Sequence, residues 1–414
     1  MQSKLFSPLQ IRDVVIRNRI ALSPMLTYSA VNGHASDWHF AHYAKYAVGG
    51  VGLVMVESTK VDPRGCTTPA DLGLWKDEFI PQLQRITSFV KSYGATVGIQ
   101  LGHSGIKARN SVPWKGRAPL DASQKGVDHG EDWELIGPSA FSLHPKAALP
   151  RAMTIKDIQE QIECWGKAAE RAERAGFDIL ELHGAHGYLT HQFLSATTNL
   201  RTDEYGGTPE KRMRFAIEVV ERVRQSWPHN KPLFYRTSAV DEMGWTIEDS
   251  ISLAKVLKAK GVDVFDCSSG GMSEKSPVLA PVKPTYGYQV PYSEKIRHGA
   301  DIMTMAVGLI IHADQAESIL QKGQADIVAI GREMLHNPNW ALDAASKLGQ
   351  DNPFATVPDS YAYWLEKRAD VGFDKRGVHD DLLTGAFGGV EAEFLEHTLH
   401  HRVKAAGADV FDAA

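Results

Sequence analysis

With 414 residues, 43% hydrophobic and 23% charged, the chain has the make-up of a globular protein that can bury a sizeable core, as one large α/β domain or two ordinary ones. A formal charge of -5 leaves no global basic field for nucleic acid or an anionic membrane surface, so small molecules or proteins are the expected partners. Three widely spaced cysteines (Cys66, Cys164 and Cys267) argue against a disulfide framework; with no apolar leader at the start and no apolar run able to cross a bilayer, a cytoplasmic location is expected.

In chain order, residues 9–16 alternate around Arg12 and Asp13 like a small hairpin. Residues 19–25 form an apolar strand halted by Pro24, a patterned helix covers 38–47, and 52–58 is a second buried strand. Helix-period residues over 79–93 lead into a third strand at 96–101. The polar, proline-bearing insertion over 102–153 exceeds an ordinary connection, and insertions of that size are usually lids or binding loops. A helix over 154–175 precedes the stretch 178–188, which reads as a short apolar strand ending in a glycine-punctuated turn with two imidazoles and a phenol, His183, His186 and Tyr188.

Thr208-Pro209 is a helix start, with Thr as N-cap and Pro in the first turn, and that helix runs to about 225. Strands follow at 232–237, 262–269, 302–308 and 326–332, with helices at 247–260 and 314–322; no helix is read between the strands at 262–269 and 302–308. Eight short apolar strands alternating with amphipathic helices predict an α/β TIM (β/α)8 barrel rather than an open sheet, and no Gly-x-Gly-x-x-Gly follows the first strand. The expected organisation is a barrel domain over 1–368, with its N-terminal hairpin and its insertion after strand three, and a C-terminal extension over 369–414. In that extension Val390, Phe394, Leu395, Thr398, Leu399 and Val403 recur at helical spacing. His397, His400 and His401 lie together on it, but a solvated helix is the preferred reading and no metal is expected.

Barrel chemistry sits at the C-terminal strand ends. There a His-x-x-His pair with a Tyr suits a hydrogen-bonding pair for a substrate oxygen beside a proton donor; a metal would require further ligands at the right spacing, and none lies nearby. Gly308 and Gly331-Arg332 end the last two strands, where barrels often hold a phosphate on backbone N–H groups. Gln100 offers a donor and an acceptor to the edge of a pyrimidine-like ring, and Arg236 brings a permanent charge that would stabilise an anion formed on reduction. A flavin mononucleotide meets all three demands.

The ordered pieces Ser23-Pro24-Met25 with Tyr28, His183-Gly184-Ala185-His186-Gly187-Tyr188, Arg201-Thr202-Asp203-Glu204-Tyr205-Gly206-Gly207 and Gly331-Arg332-Glu333 resemble the old yellow enzyme family of FMN-dependent NAD(P)H oxidoreductases, most like its bacterial YqjM-like and xenobiotic-reductase-like branch. The resemblance runs over residues 5–368. It implies that Ser23, Pro24, Met25, Ser58, Gln100, Arg236, Gly308, Gly331 and Arg332 contact FMN, with Leu26 against the flavin where this branch often carries Cys. It implies that His183 and His186 hold a substrate oxygen, that Tyr188 delivers a proton, and that Tyr28 and Lys107 line the pocket. Ile106 stands where close relatives carry Arg.

Residues 361–368 resemble the branch's C-terminal finger, which implies that Trp364 reaches a neighbouring subunit's site in a homodimer or larger homo-oligomer; an ordinary terminal helix is the alternative reading. The implied reaction is hydride transfer from NAD(P)H to the flavin and then to the β-carbon of an activated alkene. A specialised catabolic step on the same fold (dienoyl-thioester reduction, demethylation or dearomatisation) and a non-redox barrel for a phosphorylated ligand remain the alternatives.

Overall fold

The computed structural model describes residues 3–120, 133–143, 148–272 and 285–371. The amphipathic pattern read in the tail falls outside these residues, as do His397, His400 and His401. The chain forms two units, Met1–Val357 and a second beginning at Pro358.

In the first unit, β1 (Leu9–Ile11) and β2 (Val14–Ile16) make the expected antiparallel hairpin. Eight parallel strands then close into a barrel: β3 (Ile20–Leu22), β4 (Leu53–Lys60), β5 (Thr96–Gly102), β8 (Ile179–Gly184), β9 (Leu233–Ser238), β10 (Val264–Ser268), β11 (Met303–Ala306) and β12 (Ile327–Ile330), with β12 pairing back onto β3. The two-residue strands β6 (Ile136–Gly137) and β7 (Arg151–Ala152) pair within the insertion.

Local chemistry starts the helices where the spacing predicts. Thr154 caps the helix Ile155–Arg174, exchanging hydrogen bonds with Asp157 in a capping box. Thr208 accepts from Lys211 N at the start of the helix Pro209–Ser226, and Thr246 and Asp249 repeat the capping box on the helix Ile247–Ala259. A helix not expected from the sequence, Val290–Ala300, lies between β10 and β11. Its buried positions are Val290, Ser293, Ile296 and Ala300, small or polar in half the cases, so the apolar stripe that would announce it is faint.

The core has two shells. Ala21, Leu53, Met55, Ile179, Phe234, Val264, Met305 and Ile327 fill the barrel interior together with Ile11 and Ile16 of the hairpin. Several of these open their strands, so the hairpin plugs the N-terminal end and leaves the C-terminal end as the mouth. A larger shell between strands and helices includes Tyr43, Val54, Leu83, Trp165, Phe177, Phe215 and Leu253. Strands buried on both faces carry apolar runs, residues 53–56 in β4 and 97–99 in β5, with polar side chains (residues 57–60 and Gln100) toward their C-terminal ends. Among the described residues, no helix is long and apolar enough to cross a membrane.

In the second unit, Asp359–Asp370 is helical, and Tyr361, Tyr363 and Trp364 are exposed on it.

Candidate active site

Above the apolar layer the barrel turns polar. Parallel register sets Gln100 of β5 beside Glu181 of β8, His183 beside Arg236 of β9, and Arg236 beside Asp266 of β10. Gln100 Nε2 donates to Glu181 Oε1 at 2.7 Å, Arg236 lies 3.1 Å from Asp266 Oδ2, and Arg236 donates to Ser23 Oγ at 3.3 Å. One guanidinium thus faces two buried carboxyls. Burial pushes Glu181 up to about 8, with Asp266 adding to the rise, and burial raises Asp266 as well. Arg236 Nε and Glu181 Oε2 are buried without a protein partner.

The turn after β8 is where the strand ends and the imidazoles emerge. A Cβ at Gly184 would collide with the Tyr235 ring, so only glycine lets the strand end there. His186 adopts φ +59, a left-handed conformation costing on the order of 1–2 kcal/mol for a residue with a side chain. Three bonds hold it there: His186 N to Ser238 Oγ (2.9 Å), Gly187 N to His191 Nδ1 (3.0 Å) and Tyr188 N to Ala185 O (3.1 Å). Strain retained by surrounding bonds is characteristic of a working site.

As a result, His183 Nε2 and His186 Nδ1 face each other at 3.3 Å, and His186 Nε2 lies 2.7 Å from Ser268 Oγ at the end of β10. The Tyr188 ring stands edge-on to His183, with centroids 4.9 Å apart. Burial drives both imidazoles well below their ordinary range; His186 and Arg236 add to this at His183, and Arg236 and Lys107 at His186. Both rings are therefore neutral near pH 7, each carrying one N–H.

The cavity at this mouth is lined by Pro24, Leu26, Tyr28, Ser58, Gln100, His183, His186, Tyr188 and Arg236. Nine residues that the sequence reading marks on five strand ends or their loops thus meet in one place. Gly331 packs close behind Ser23 and Met25: a Cβ there would come within 3.3 Å of Met25 Sδ. Gly308 has φ +113, and a Cβ on it would press against the Gln289 amide at 2.6 Å. Arg332, exposed, begins the short helix after β12.

Lys107 differs from expectation. It is not among the residues lining the cavity, because its ammonium bonds the carbonyls of His186 (3.0 Å) and Gly271, pinning the imidazole-bearing turn from behind. Burial, then Arg117, pulls its pKa down to about 8. Trp364 is 70% exposed on the helix of the second unit.

Several contributors escape the sequence reading: Glu181, Asp266, Gln289, His191 and Asp241. Gln289 Oε1 accepts from Ser268 (3.1 Å) and Ser269 (2.9 Å) and so orients the hydroxyl that touches His186. His191 accepts from Gly187 N on one ring nitrogen and presents the other to Asp241 Oδ2 at 3.0 Å, while Asp241 Oδ1 holds Met243 N and Trp245 N. Asp241→Asn would keep the loop bonds but turn an N–H₂ toward the His191 N–H, forcing either two facing donors or a tautomer that rejects Gly187. A loss of about 1–3 kcal/mol is expected by urea denaturation, and unchanged stability would show that the His191–Asp241 contact holds nothing.

Among the described residues, no group of three or more His, Cys, Asp or Glu is placed to hold a metal ion. The closed eight-stranded barrel and its C-terminal mouth, with paired neutral imidazoles, a phenol and a buried guanidinium, define a TIM-barrel site built for a small polar-edged ligand. Residues 4–351 match the NADH:flavin oxidoreductase / NADH oxidase family, and the chain belongs to it.

A NADPH dehydrogenase of Geobacillus sp. (strain WCH70) is 45% identical over 353 residues, covering 84% of this chain and 96% of the relative. A NADPH dehydrogenase of Bacillus subtilis (strain 168) is 42% identical over 357 residues, covering 85% and 97%. The solved structure of morphinone reductase superposes with a TM-score of 0.70 at 24% identity, over 84% of this chain and 90% of that one, and bears on the fold alone. The chain is therefore an FMN-dependent oxidoreductase of the old yellow enzyme family that uses NAD(P)H as reductant.

Proposed function

We propose that this enzyme reduces the carbon–carbon double bond of electron-poor alkenes, namely α,β-unsaturated carbonyl and nitro compounds, with His183 and His186 holding the activating oxygen and Tyr188 donating the proton. The observation that carries this is the pair of neutral imidazole nitrogens facing one another at 3.3 Å in the same cavity as the Tyr188 phenol.

The residues present fit FMN. Arg236 Nε is buried and unpartnered, the Gln100 amide and Ser58 hydroxyl reach the same cavity, and Gly308 and Gly331 keep backbone bare where a side chain would intrude. Ser23, Pro24, Met25, Leu26, Ser58, Gln100, Arg236, Gly308, Gly331 and Arg332 would hold it. When bound, FMN supplies to the alkene's β-carbon a hydride that it has taken from NAD(P)H.

The protein's part is electrostatic. His183 Nε2–H can point at His186 Nδ1, or both nitrogens can present N–H groups to one oxygen in the cavity that faces the pair. The second arrangement places the His186 proton on Nδ1 rather than Nε2, so that Nε2 accepts from the Ser268 hydroxyl, turned away from Gln289, across their 2.7 Å contact. Two donors aimed at the oxygen stabilise the enolate-like charge that develops there. Tyr188 then protonates the α-carbon, and Tyr28, half-buried beside it, shapes the pocket.

The test is the visible spectrum of the purified protein. It should be yellow, lose colour on anaerobic addition of NADPH and regain it with a simple cyclic enone. Loss of colour without recovery by any enone would overturn the alkene assignment, and a protein that takes up no FMN would overturn the whole reading.

A further inference from the structure

Lys60 ends β4, and its side chain is completely buried, as is that of Asp71. Nζ lies 3.5 Å from Asp71 Oδ2, donates to Ser58 Oγ at 3.1 Å and stands 5.2 Å from the centroid of the Tyr188 ring. Asp71 is itself fixed by Thr67 N (2.6 Å), Thr68 N (3.2 Å) and Thr68 Oγ1 (2.7 Å). Burying an ammonium costs free energy, and a single carboxylate at 3.5 Å offsets it imperfectly. A pair that merely tied loops together would have no reason to sit between a cavity-lining serine and a cavity-lining phenol. Among the described residues, no hydrogen bond holds the Tyr188 hydroxyl, so the ring is steered by its neighbours: His183 edge-on to it, the Lys60 ammonium near its face, and Tyr28 in the same cavity.

We propose that Lys60 is a positioning residue for proton delivery: its buried charge holds the Tyr188 ring in place and offsets the negative charge left on that ring when the proton departs. The inference rests on the proton-donor reading given above. In that step the Tyr188 O–H bond breaks with its electron pair staying on oxygen. The enolate-like α-carbon uses its own pair to form the new C–H bond, and water later reprotonates the phenolate. A cation over the ring interacts more strongly with phenolate than with phenol, so its contribution grows along the step.

The experiment compares wild type, Lys60→Met, Lys60→Arg, Tyr188→Phe and Lys60→Met/Tyr188→Phe as FMN-loaded proteins, with cyclohexenone as the alkene. Lys60→Met should bleach with NADPH at a rate within about twofold of wild type, yet reoxidise with cyclohexenone roughly tenfold more slowly and with a larger solvent deuterium isotope effect. Lys60→Arg should recover part of the rate. The double variant should be no slower than Tyr188→Phe. In protein labelled with fluorotyrosine, the Tyr188 fluorine resonance, assigned by its absence in Tyr188→Phe, should shift and broaden in Lys60→Met.

Independent, multiplying effects of the two substitutions, or an unmoved fluorine resonance, would overturn the role of Lys60 while leaving Tyr188 as donor. A Tyr188→Phe variant with unchanged reoxidation and isotope effect would instead remove the donor reading, and this inference with it. Should Lys60→Met fail to fold because Asp71 is left as an uncompensated buried carboxylate, Lys60→Met/Asp71→Asn removes both charges and is read by the same outcomes.

Discussion

Replacing His183 and His186 together by alanine is expected to slow reoxidation by an enone about a thousandfold while NADPH still bleaches the FMN-loaded protein at a near-normal rate. Removing one well-placed donor to a developing oxyanion costs on the order of 10²–10³ in rate, and two donors acting on one oxygen do not multiply independently. The split between half-reactions follows from the geometry. The two imidazoles meet each other and Ser268 at the cavity wall, whereas the residues assigned to FMN lie on other strands. Stopped-flow measurement of both half-reactions checks it, and equal slowing of the two would show that the pair supports the site as a whole rather than the alkene oxygen. Because burial keeps both rings neutral, enone reduction by wild type should show no imidazole titration near pH 6.5.

Arg236→Met should destabilise the protein by about 3–5 kcal/mol at alkaline pH, where it strands Asp266 and Glu181 as buried carboxylates without a counter-charge. Its cost should shrink in acid. Burial holds Glu181 at about 8, against 4.5 for an ordinary Glu, so between those values the unfolded chain releases a proton that the folded chain keeps. Wild-type stability should therefore fall as pH rises from the ordinary Glu value toward the raised folded one. Glu181→Gln should abolish that decline. Arg236→Met should steepen the loss and carry it to higher pH, since the guanidinium is what draws both carboxyls toward ionisation. Urea denaturation from pH 5 to 9 measures all three proteins; parallel curves for wild type and Glu181→Gln would show that Glu181 ionises normally.

Some of this was legible along the chain because the relevant interactions are local. Parallel strands covered on both faces carry apolar runs, so all eight announced themselves, and the Thr208-Pro209 start marked the helix Pro209–Ser226. The turn from His183 to Tyr188 was visible too, since two imidazoles, a phenol and spaced glycines fall within six residues. The helix at Val290–Ala300 was not legible, for its buried face is half small or polar and the barrel, not its own pattern, holds it in place.

The sequence by itself determined the barrel, the hairpin at its foot and the imidazole-bearing turn, because each rests on contacts between residues a few positions apart or on burial that every strand must satisfy. Only the tertiary structure decided the charge relations. Barrel closure put Arg236 between Glu181 and Asp266, brought Asp241 to His191 across 50 residues of chain, sent Lys107 to the carbonyls behind His186 and set the Lys60–Asp71 pair against Tyr188. A charge's partner inside a barrel is fixed by strand register and the resulting through-space distance. A buried carboxyl or ammonium has the same letter in the sequence whether it ends beside its counter-ion or alone.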